Sequence, residues 1–224
     1  MPAHPVTIQS VSYITYNVIR IVTNKPSDYD FQPGQATEVA VNEEGWKEEK
    51  RPFTFTSLPG EDHLEFTIKV YPLHNGVTKR LATLKAGDEL LLSDVFGAIS
   101  YEGSGVFIAG GAGLTPFLAI LKSLEEENKL DGNKLLFANK TTSDIILKDK
   151  LHAMLGTNFR NILSDEKTEE YAHGYIDKAY LQKEVTDFKQ KFYVCGPPEM
   201  MKQVEKHLTE LGVEKEQLIK EDLS

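Results

Sequence analysis

The sequence holds a single cysteine, Cys195, and a single tryptophan. One thiol closes no intrachain disulfide, completes no multi-thiolate zinc site and cannot supply the four ligands of an iron–sulfur cluster. Any redox chemistry must therefore come from an organic cofactor. Positive charge is also scarce: 25 basic residues face 34 acidic ones, a net charge of −9. The deficit is shared, with 9 basic against 14 acidic residues through Glu102 and 16 against 20 beyond it. Neither half offers a basic docking face, and nucleic acid is not an expected partner. Met1-Pro2-Ala3-His4-Pro5 lacks the basic and apolar regions of a secretion signal, so a cytoplasmic location is the expectation. Residues 103–121 carry no charge over nearly the length of a spanning helix. Gly110, Gly111, Gly113 and Pro116 interrupt that run, which reads as strand, turn and helix of a soluble domain, with no transmembrane segment.

What is present is ordinary globular composition: 224 residues, 40% hydrophobic and 26% charged, enough for one large domain or two compact ones. Residues 1–102 are rich in short alternating runs between turn signals. Strands are expected over 11–22, 35–41, 51–57, 63–71 and 89–92, with breaks at Lys25-Pro26-Ser27-Asp28 and Gln32-Pro33-Gly34. That spacing favours a small antiparallel barrel. A helix is expected over 77–84, where Val77, Leu81 and Leu84 share a face. Over residues 103–224 the rhythm becomes strand (106–109), helix (116–127), strand (134–138), helix (143–154), strand (159–163), helix (178–185), strand (192–195) and helix (198–211). Such alternation implies a parallel sheet with helices on both faces and ligands at the C-terminal ends of its strands.

Four segments carry chemistry. Gly110-Gly111-Ala112-Gly113-Leu114-Thr115-Pro116 follows a strand and opens a helix, where glycines allow close backbone approach and free amides favour a pyrophosphate. Pro116 replaces the third glycine of the usual dinucleotide fingerprint, and a plain strand-to-helix turn fits the same residues. Cys195-Gly196-Pro197-Pro198-Glu199-Met200 repeats the geometry at the last strand, facing the same crevice; its thiol also fits a small buried apolar residue. Arg51-Pro52-Phe53-Thr54-Phe55-Thr56-Ser57 combines a guanidinium, aromatic rings and hydroxyls, which suit a planar cofactor carrying phosphate. Strict alternation puts Phe53 and Thr54 on opposite faces, so both touch one ring only at the strand's edge or end. Gly76-Val77-Thr78 opens the short helix and offers a second phosphate-competent start, or merely a helix cap.

Together with Thr67-Ile68-Lys69-Val70-Tyr71, these motifs occur in the order found in the ferredoxin–NADP reductase superfamily, which nearly the whole chain resembles. Phe137-Ala138-Asn139-Lys140-Thr141-Thr142-Ser143-Asp144-Ile145-Ile146-Leu147 is most similar to cytochrome b5 reductases and small bacterial flavodoxin or ferredoxin reductases. The resemblance implies a flavin-binding barrel domain (1–102) and a nicotinamide-binding α/β domain (103–224), with FAD and NAD(P)H as cofactors. It implies that Arg51 binds the flavin pyrophosphate, Phe53 lies against the isoalloxazine with Pro52 beside it, and Thr54 donates a hydrogen bond to N5. Thr67 and Lys69 contact the flavin from the next strand, Val77 and Thr78 bind the pyrophosphate, and Thr115 sits between the cofactors. Gly111, Gly113, Cys195, Gly196, Pro197 and Met200 line the nicotinamide site, with Asp144 near the adenosine ribose. Phe53 stands where the family usually has tyrosine, and the C-terminal Lys220-Glu221-Asp222-Leu223-Ser224 lacks the aromatic that covers the flavin in many members.

The implied reaction is hydride transfer from nicotinamide C4 to flavin N5, then release of single electrons to a flavodoxin, a ferredoxin, an oxygenase component or another haem or iron–sulfur partner. Cys195 shapes the pocket near C4 without a covalent adduct. Similarity to cytochrome b5 reductases leans the coenzyme toward NADH, although Lys140, Thr141 and Ser143 would suit a 2′-phosphate. Lys50, Lys79 and Arg80 could gather into a patch for an acidic carrier, or stay scattered surface charge. The alternative readings are a conventional Rossmann dehydrogenase, which predicts a full glycine fingerprint near the N-terminus where Gly111 lies far too late, a free-flavin reductase and a non-catalytic partner-binding module.

Overall fold

The computed structural model describes residues 3–71, 75–97 and 99–220. The N-terminal half is one antiparallel six-stranded sheet: β1 (His4–Thr15), β2 (Val18–Asn24), β3 (Ala36–Val41), β4 (Arg51–Thr54), β5 (His63–Lys69) and β6 (Glu89–Leu92), in the order β4-β3-β6-β1-β2-β5. A bridge between Phe55 and Phe66 joins its two edges and closes it into a barrel. Alternate residues such as Val6, Ile8, Ile19, Ile21, Phe66 and Ile68 fill the core. Helix α1 (Val77–Leu81) covers one end, burying Val77 and Leu81.

The C-terminal half is a parallel six-stranded sheet: β7 (Gly105–Gly110), β8 (Lys134–Asn139), β9 (Phe159–Leu163), β10 (Ala172–His173), β11 (Lys191–Cys195) and β12 (Leu218–Lys220), in the order β10-β9-β8-β7-β11-β12. Helices α2 (Thr115–Glu126) and α3 (Lys148–Leu155) pack on one face, and α4 (Lys178–Glu184) and α5 (Pro198–Glu210) on the other. From β7 the chain moves outward through β8 and β9, then returns to β11 on the other side. The strand order therefore reverses between β7 and β11, which is where an open α/β sheet leaves a crevice at its carboxyl edge.

The seam between the halves explains the uncharged stretch. Residues 116–121 of α2 are all buried, because the helix has the sheet on one side and the barrel on the other. Val18 and Ile14 of the barrel pack into the same cluster as Phe117 and Ile120. On β5, Leu64, Phe66 and Ile68 point into the barrel, so Glu65, Thr67 and Lys69 present one row on the opposite face, toward the α/β half. At the junction, the buried Tyr193 hydroxyl donates to Gly103 O (2.7 Å) and accepts from Glu102 N (2.9 Å). Burial pushes that hydroxyl up to about 12.

Several element boundaries differ from the sequence reading. The strand expected over 11–22 is a hairpin turning at Tyr16 and Asn17. No glycine or proline marks that turn; the Thr15 hydroxyl donates to Asn17 Oδ1 (3.2 Å), and Asn17 O accepts from Val70 N (2.7 Å). The helix expected over 143–154 is interrupted: Thr142–Asp144 is a 3₁₀ turn, and Leu147 adopts φ +52° before α3 begins. The break lets both Ile145 and Ile146 enter the core, which a continuous helix would place about 100° apart. The helix expected over 77–84 ends at Leu81, and the strand over 51–57 ends at Thr54. Short β10 and β12 lacked a readable period. Of the C-terminal segment, residues 221–224 lie outside the described residues.

Candidate functional site

A cleft of about 470 Å³ lies between the halves, at the crevice where the parallel sheet reverses its strand order. The barrel contributes Pro52, Phe53, Thr54, Thr67, Lys69 and Thr78. The α/β half contributes Gly111, Gly113, Thr115, Cys195, Gly196 and Pro197. Phe53 and Thr54 both line it because β4 is the last strand of its row and stops at Thr54, so the constraint of alternation ends there. The Thr54 and Thr78 hydroxyls make no hydrogen bond to any described residue, whereas Thr115 Oγ1 donates to Ala112 O (3.0 Å) and Thr67 Oγ1 contacts Thr56 Oγ1 (3.2 Å). Lys69 is the single charged side chain among the described residues lining the cleft.

The α/β wall is shaped by glycine. Gly111 takes φ +52°, and a Cβ there would find nothing nearer than Lys69 Nζ at 3.8 Å, so its backbone is open toward the cleft. A Cβ on Gly113 would lie 2.2 Å from Cys195 O, so the two loops meet only because that position is bare. Cys195 is buried beneath this contact.

A second cavity of about 380 Å³ continues from the first, sharing Lys69, Gly110, Gly111 and Pro197. Asp144 and Met200 line this second space instead of the cleft, together with Asn139 and with Ser164 and Tyr175, the last two of which the sequence reading did not name. Asp144 is only 6% exposed. Its Oδ1 accepts from the Tyr16 hydroxyl (2.7 Å) and lies 4.0 Å from Lys69 Nζ; its Oδ2 accepts from Thr141 N (3.1 Å) and Thr141 Oγ1 (2.8 Å). Burial raises the Asp144 pKa, but the Tyr16 and Thr141 hydrogen bonds and the Lys69 charge outweigh it and leave the carboxyl below its ordinary value. Tyr16 shows the reciprocal effect, its pKa raised first by that hydrogen bond.

Two of the expected residues stand back from the cavity linings. Arg51 is exposed beside Pro52, its guanidinium donating to Lys50 O (2.6 Å) and lying 3.5 Å from Glu49. The Val77 side chain is buried in the barrel core.

Sequence reasoning missed the seam itself. Glu65, 7% exposed, meets Arg20 Nε (2.5 Å), Thr56 Oγ1 (2.9 Å) and Lys122 Nζ (3.1 Å), and Lys122 also donates to Thr56 O. Burial pulls the Glu65 pKa up, the Lys122 charge and the Arg20 and Thr56 hydrogen bonds pull it down further, and the net is a lowered value. An acid set between Leu64 and Phe66 in a buried strand was the available signal. Among the described residues no cluster of three or more His, Cys, Asp or Glu could hold a metal, and no helix is long and apolar enough to cross a membrane.

A cleft walled by both halves and a second cavity continuing from it along the α/β side offer two adjoining spaces of nucleotide size at the crevice of the parallel sheet, the layout of a two-domain nucleotide-binding protein. Residues 3–103 match the FAD-binding domain family and residues 107–206 the oxidoreductase NAD-binding domain family. The chain is 31% identical to NADH-cytochrome b5 reductase 1 of Emericella nidulans, covering 90% of this chain and 72% of that one. It is 27% identical to the reductase component of propane 2-monooxygenase from Mycolicibacterium goodii, covering 82% of this chain and 56% of the relative's length. A ferredoxin NADP+ reductase from Neisseria gonorrhoeae, solved with bound FAD and NADP, superposes with a TM-score of 0.85 at 22% identity, covering 98% of each chain. The chain belongs to the ferredoxin–NADP reductase superfamily and consists of an FAD-binding and an NAD-binding oxidoreductase domain.

Proposed function

We propose that this chain is an FAD-dependent NAD(P)H oxidoreductase that supplies electrons to a one-electron carrier. The observation that carries the reading is the shared cleft, whose walls come from both halves and meet at Phe53, Thr54, Gly111 and Cys195. When bound, FAD takes a hydride from the reduced nicotinamide and passes electrons on singly. The residues present fit that pair. Phe53 offers a flat apolar wall, and Thr54 offers a hydroxyl with no competing partner for a ring nitrogen. Thr67, Lys69, Thr78 and, from the margin, Arg51 supply polar and cationic groups on the flavin side, with Val77 contributing through its backbone.

On the other side, bare Gly111 and Gly113 let backbone amides come close to a dinucleotide, and Gly196, Pro197 and Met200 complete that wall. Thr115 stands between the two nucleotides. Cys195, buried in the wall of the cleft, would shape the pocket near the nicotinamide without forming an adduct. Asp144 helps hold the second cavity, which would take the adenosine part of the coenzyme. Holding the two rings together is the main rate effect. We place the domain boundary at 102/103, where Tyr193 fixes Glu102 and Gly103. NADH is the favoured coenzyme, in line with the b5 reductase relative. The acceptor is a flavodoxin, a ferredoxin, an oxygenase component or a haem or iron–sulfur protein, met in the cytoplasm.

An absorbance spectrum with anaerobic NADH titration tests this. Bound flavin that survives dialysis and bleaches on addition of NADH is expected. Flavin lost on dialysis but reduced as a substrate would favour a free-flavin reductase. Protein that neither carries flavin nor oxidises NAD(P)H with artificial acceptors would leave only a binding module.

A further inference from the structure

A third cavity, of about 480 Å³, lies apart from the cleft and the second cavity and shares no lining residue with either. One wall is the start of β9, where Arg160 and Asn161 line it, whereas the second cavity meets Ser164 just past the end of that strand. At about 3.3 Å per residue the two positions are roughly 10 Å apart along the chain. The opening exists because β10 is two residues long and pairs only with Ile162 and Leu163, so no strand covers the outer edge of β9 before that point. Asn161 is 5% exposed, and its Nδ2 and Oδ1 have no hydrogen-bond partner among the described residues. Tyr180 of α4, also on the lining, is 8% exposed, and its hydroxyl makes no hydrogen bond to any described residue. Burial pushes the Tyr180 pKa well up, so at neutral pH that hydroxyl is a donor. Native interiors satisfy nearly all such groups, so two orphans on one cavity call for a ligand that completes them.

The charged residues around this cavity divide into two sets. Arg160 Nε lies 3.3 Å from Glu184, and Glu170 is held by Lys148 (3.1 Å) and accepts from the Tyr171 hydroxyl (2.6 Å). Lys183 and Glu169, both exposed at the rim, have no hydrogen bond or ion pair to any described residue. The His152 ring packs edge to face on Phe159 with centroids 5.5 Å apart, and with Tyr171 it gives the cavity an aromatic side. We propose that this cavity binds a free aromatic α-amino acid as its zwitterion: the carboxylate takes the Tyr180 hydroxyl, the Asn161 amide and the Lys183 charge, the ammonium faces Glu169, and the ring lies against His152 and Tyr171. One uncommitted cation and one uncommitted anion on a small cavity select a molecule that carries both charges, since a ligand with only one leaves the other unmatched. Aromatic walls favour a ring between them. The assignment stands apart from the flavoprotein reading, because none of its residues borders the cleft or the second cavity.

Calorimetry on the full chain, with and without FAD and NAD+, compares L-phenylalanine with phenylpropionate and phenethylamine, each of which lacks one of its two charges. L-Phenylalanine is expected to bind with a dissociation constant near or below about 1 mM, unaffected by either nucleotide. The two singly charged analogues should bind at least about tenfold more weakly. Tyr180→Phe removes only the hydroxyl and should weaken L-phenylalanine roughly tenfold. Lys183→Gln and Glu169→Gln, at exposed positions that leave the fold intact, should each weaken it roughly two- to fivefold. No binding of L-phenylalanine at about 10 mM, equal binding of either analogue, competition by FAD or NAD+, or parent-like affinity in Tyr180→Phe would overturn the assignment.

Discussion

Replacing Lys122 by methionine tests whether the buried ion pair across the seam holds the two halves in register. Lys122 and Glu65 side chains are only 14% and 10% exposed, and their 3.1 Å contact joins α2 to β5. The substitution keeps most of the apolar stem but leaves Thr56 O and one Glu65 oxygen with less compensation. Breaking a fully buried pair costs about 3–5 kcal/mol. Here Arg20 Nε and Thr56 Oγ1 still hold the carboxylate, which lowers the expectation to about 2–3 kcal/mol, near the upper range for a hydrogen bond to a charged group. For a chain of this size that is roughly 4–12 °C in Tm. The pH dependence supplies the sharper check. In the parent protein the Glu65 pKa is lowered, so its contribution is complete above the unfolded value of about 4.3 and is lost as pH falls through the folded one. Without Lys122 the largest lowering influence is gone while burial, Arg20 and Thr56 remain, so the Glu65 pKa moves up and its charged form contributes less stability at neutral pH. Urea unfolding of the FAD-saturated proteins should therefore show the difference between them largest near pH 7.5 and clearly smaller near pH 4.5. A loss under about 0.5 kcal/mol, or an equal loss at both pH values, would refute the argument.

Three further outcomes follow from the site. Gly113→Ala puts a methyl 2.2 Å from the backbone oxygen of Cys195, so the two loops must separate; a destabilisation of about 1–3 kcal/mol with a raised KM for NADH is expected, and stopped-flow flavin reduction with calorimetry checks both. Tyr16→Phe removes one of the hydrogen bonds on Asp144; since the tyrosine is largely exposed, the expected loss is about 1 kcal/mol, present at neutral pH and fading as acid protonates Asp144, whose folded pKa is lowered. Thr54→Val keeps the shape of the cleft wall but removes its unpartnered hydroxyl, so hydride transfer should slow by roughly ten- to hundredfold with NADH affinity little changed, as read from the limiting rate of flavin reduction.

The contrast between what could and could not be read from the sequence has a physical basis. The two glycine- and proline-bearing loops at the cleft were legible because each sits where a strand hands over to a helix, a local event announced within seven residues: Gly110 to Pro116, and Cys195 to Met200. The fold class followed from two different hydrophobic periods in the two halves. Misreadings fell where local pattern and tertiary demand disagree. Ile145 and Ile146 read as helix, yet both are needed in one core, and Leu147 accepts a positive φ so that they reach it.

The wiring between the halves is different in kind. Tyr16 and Asp144 are 128 positions apart, and Glu65 and Lys122 are 57. No short window of sequence contains both partners, so even the one local signal, an acid between Leu64 and Phe66, does not name what it meets. What exposes them is the barrel's alternation: once Leu64, Phe66 and Ile68 are assigned to its interior, Glu65, Thr67 and Lys69 must face outward in a single row. In the structure that row runs along the seam, with Glu65 at the ion pair with α2, Thr67 at the cleft and Lys69 at the junction of the two cavities. One strand thus sets both the docking of the domains and a wall of the site. Changes at the two ends of the row should consequently behave differently: at Glu65 they should alter stability first, and at Lys69 nucleotide binding first.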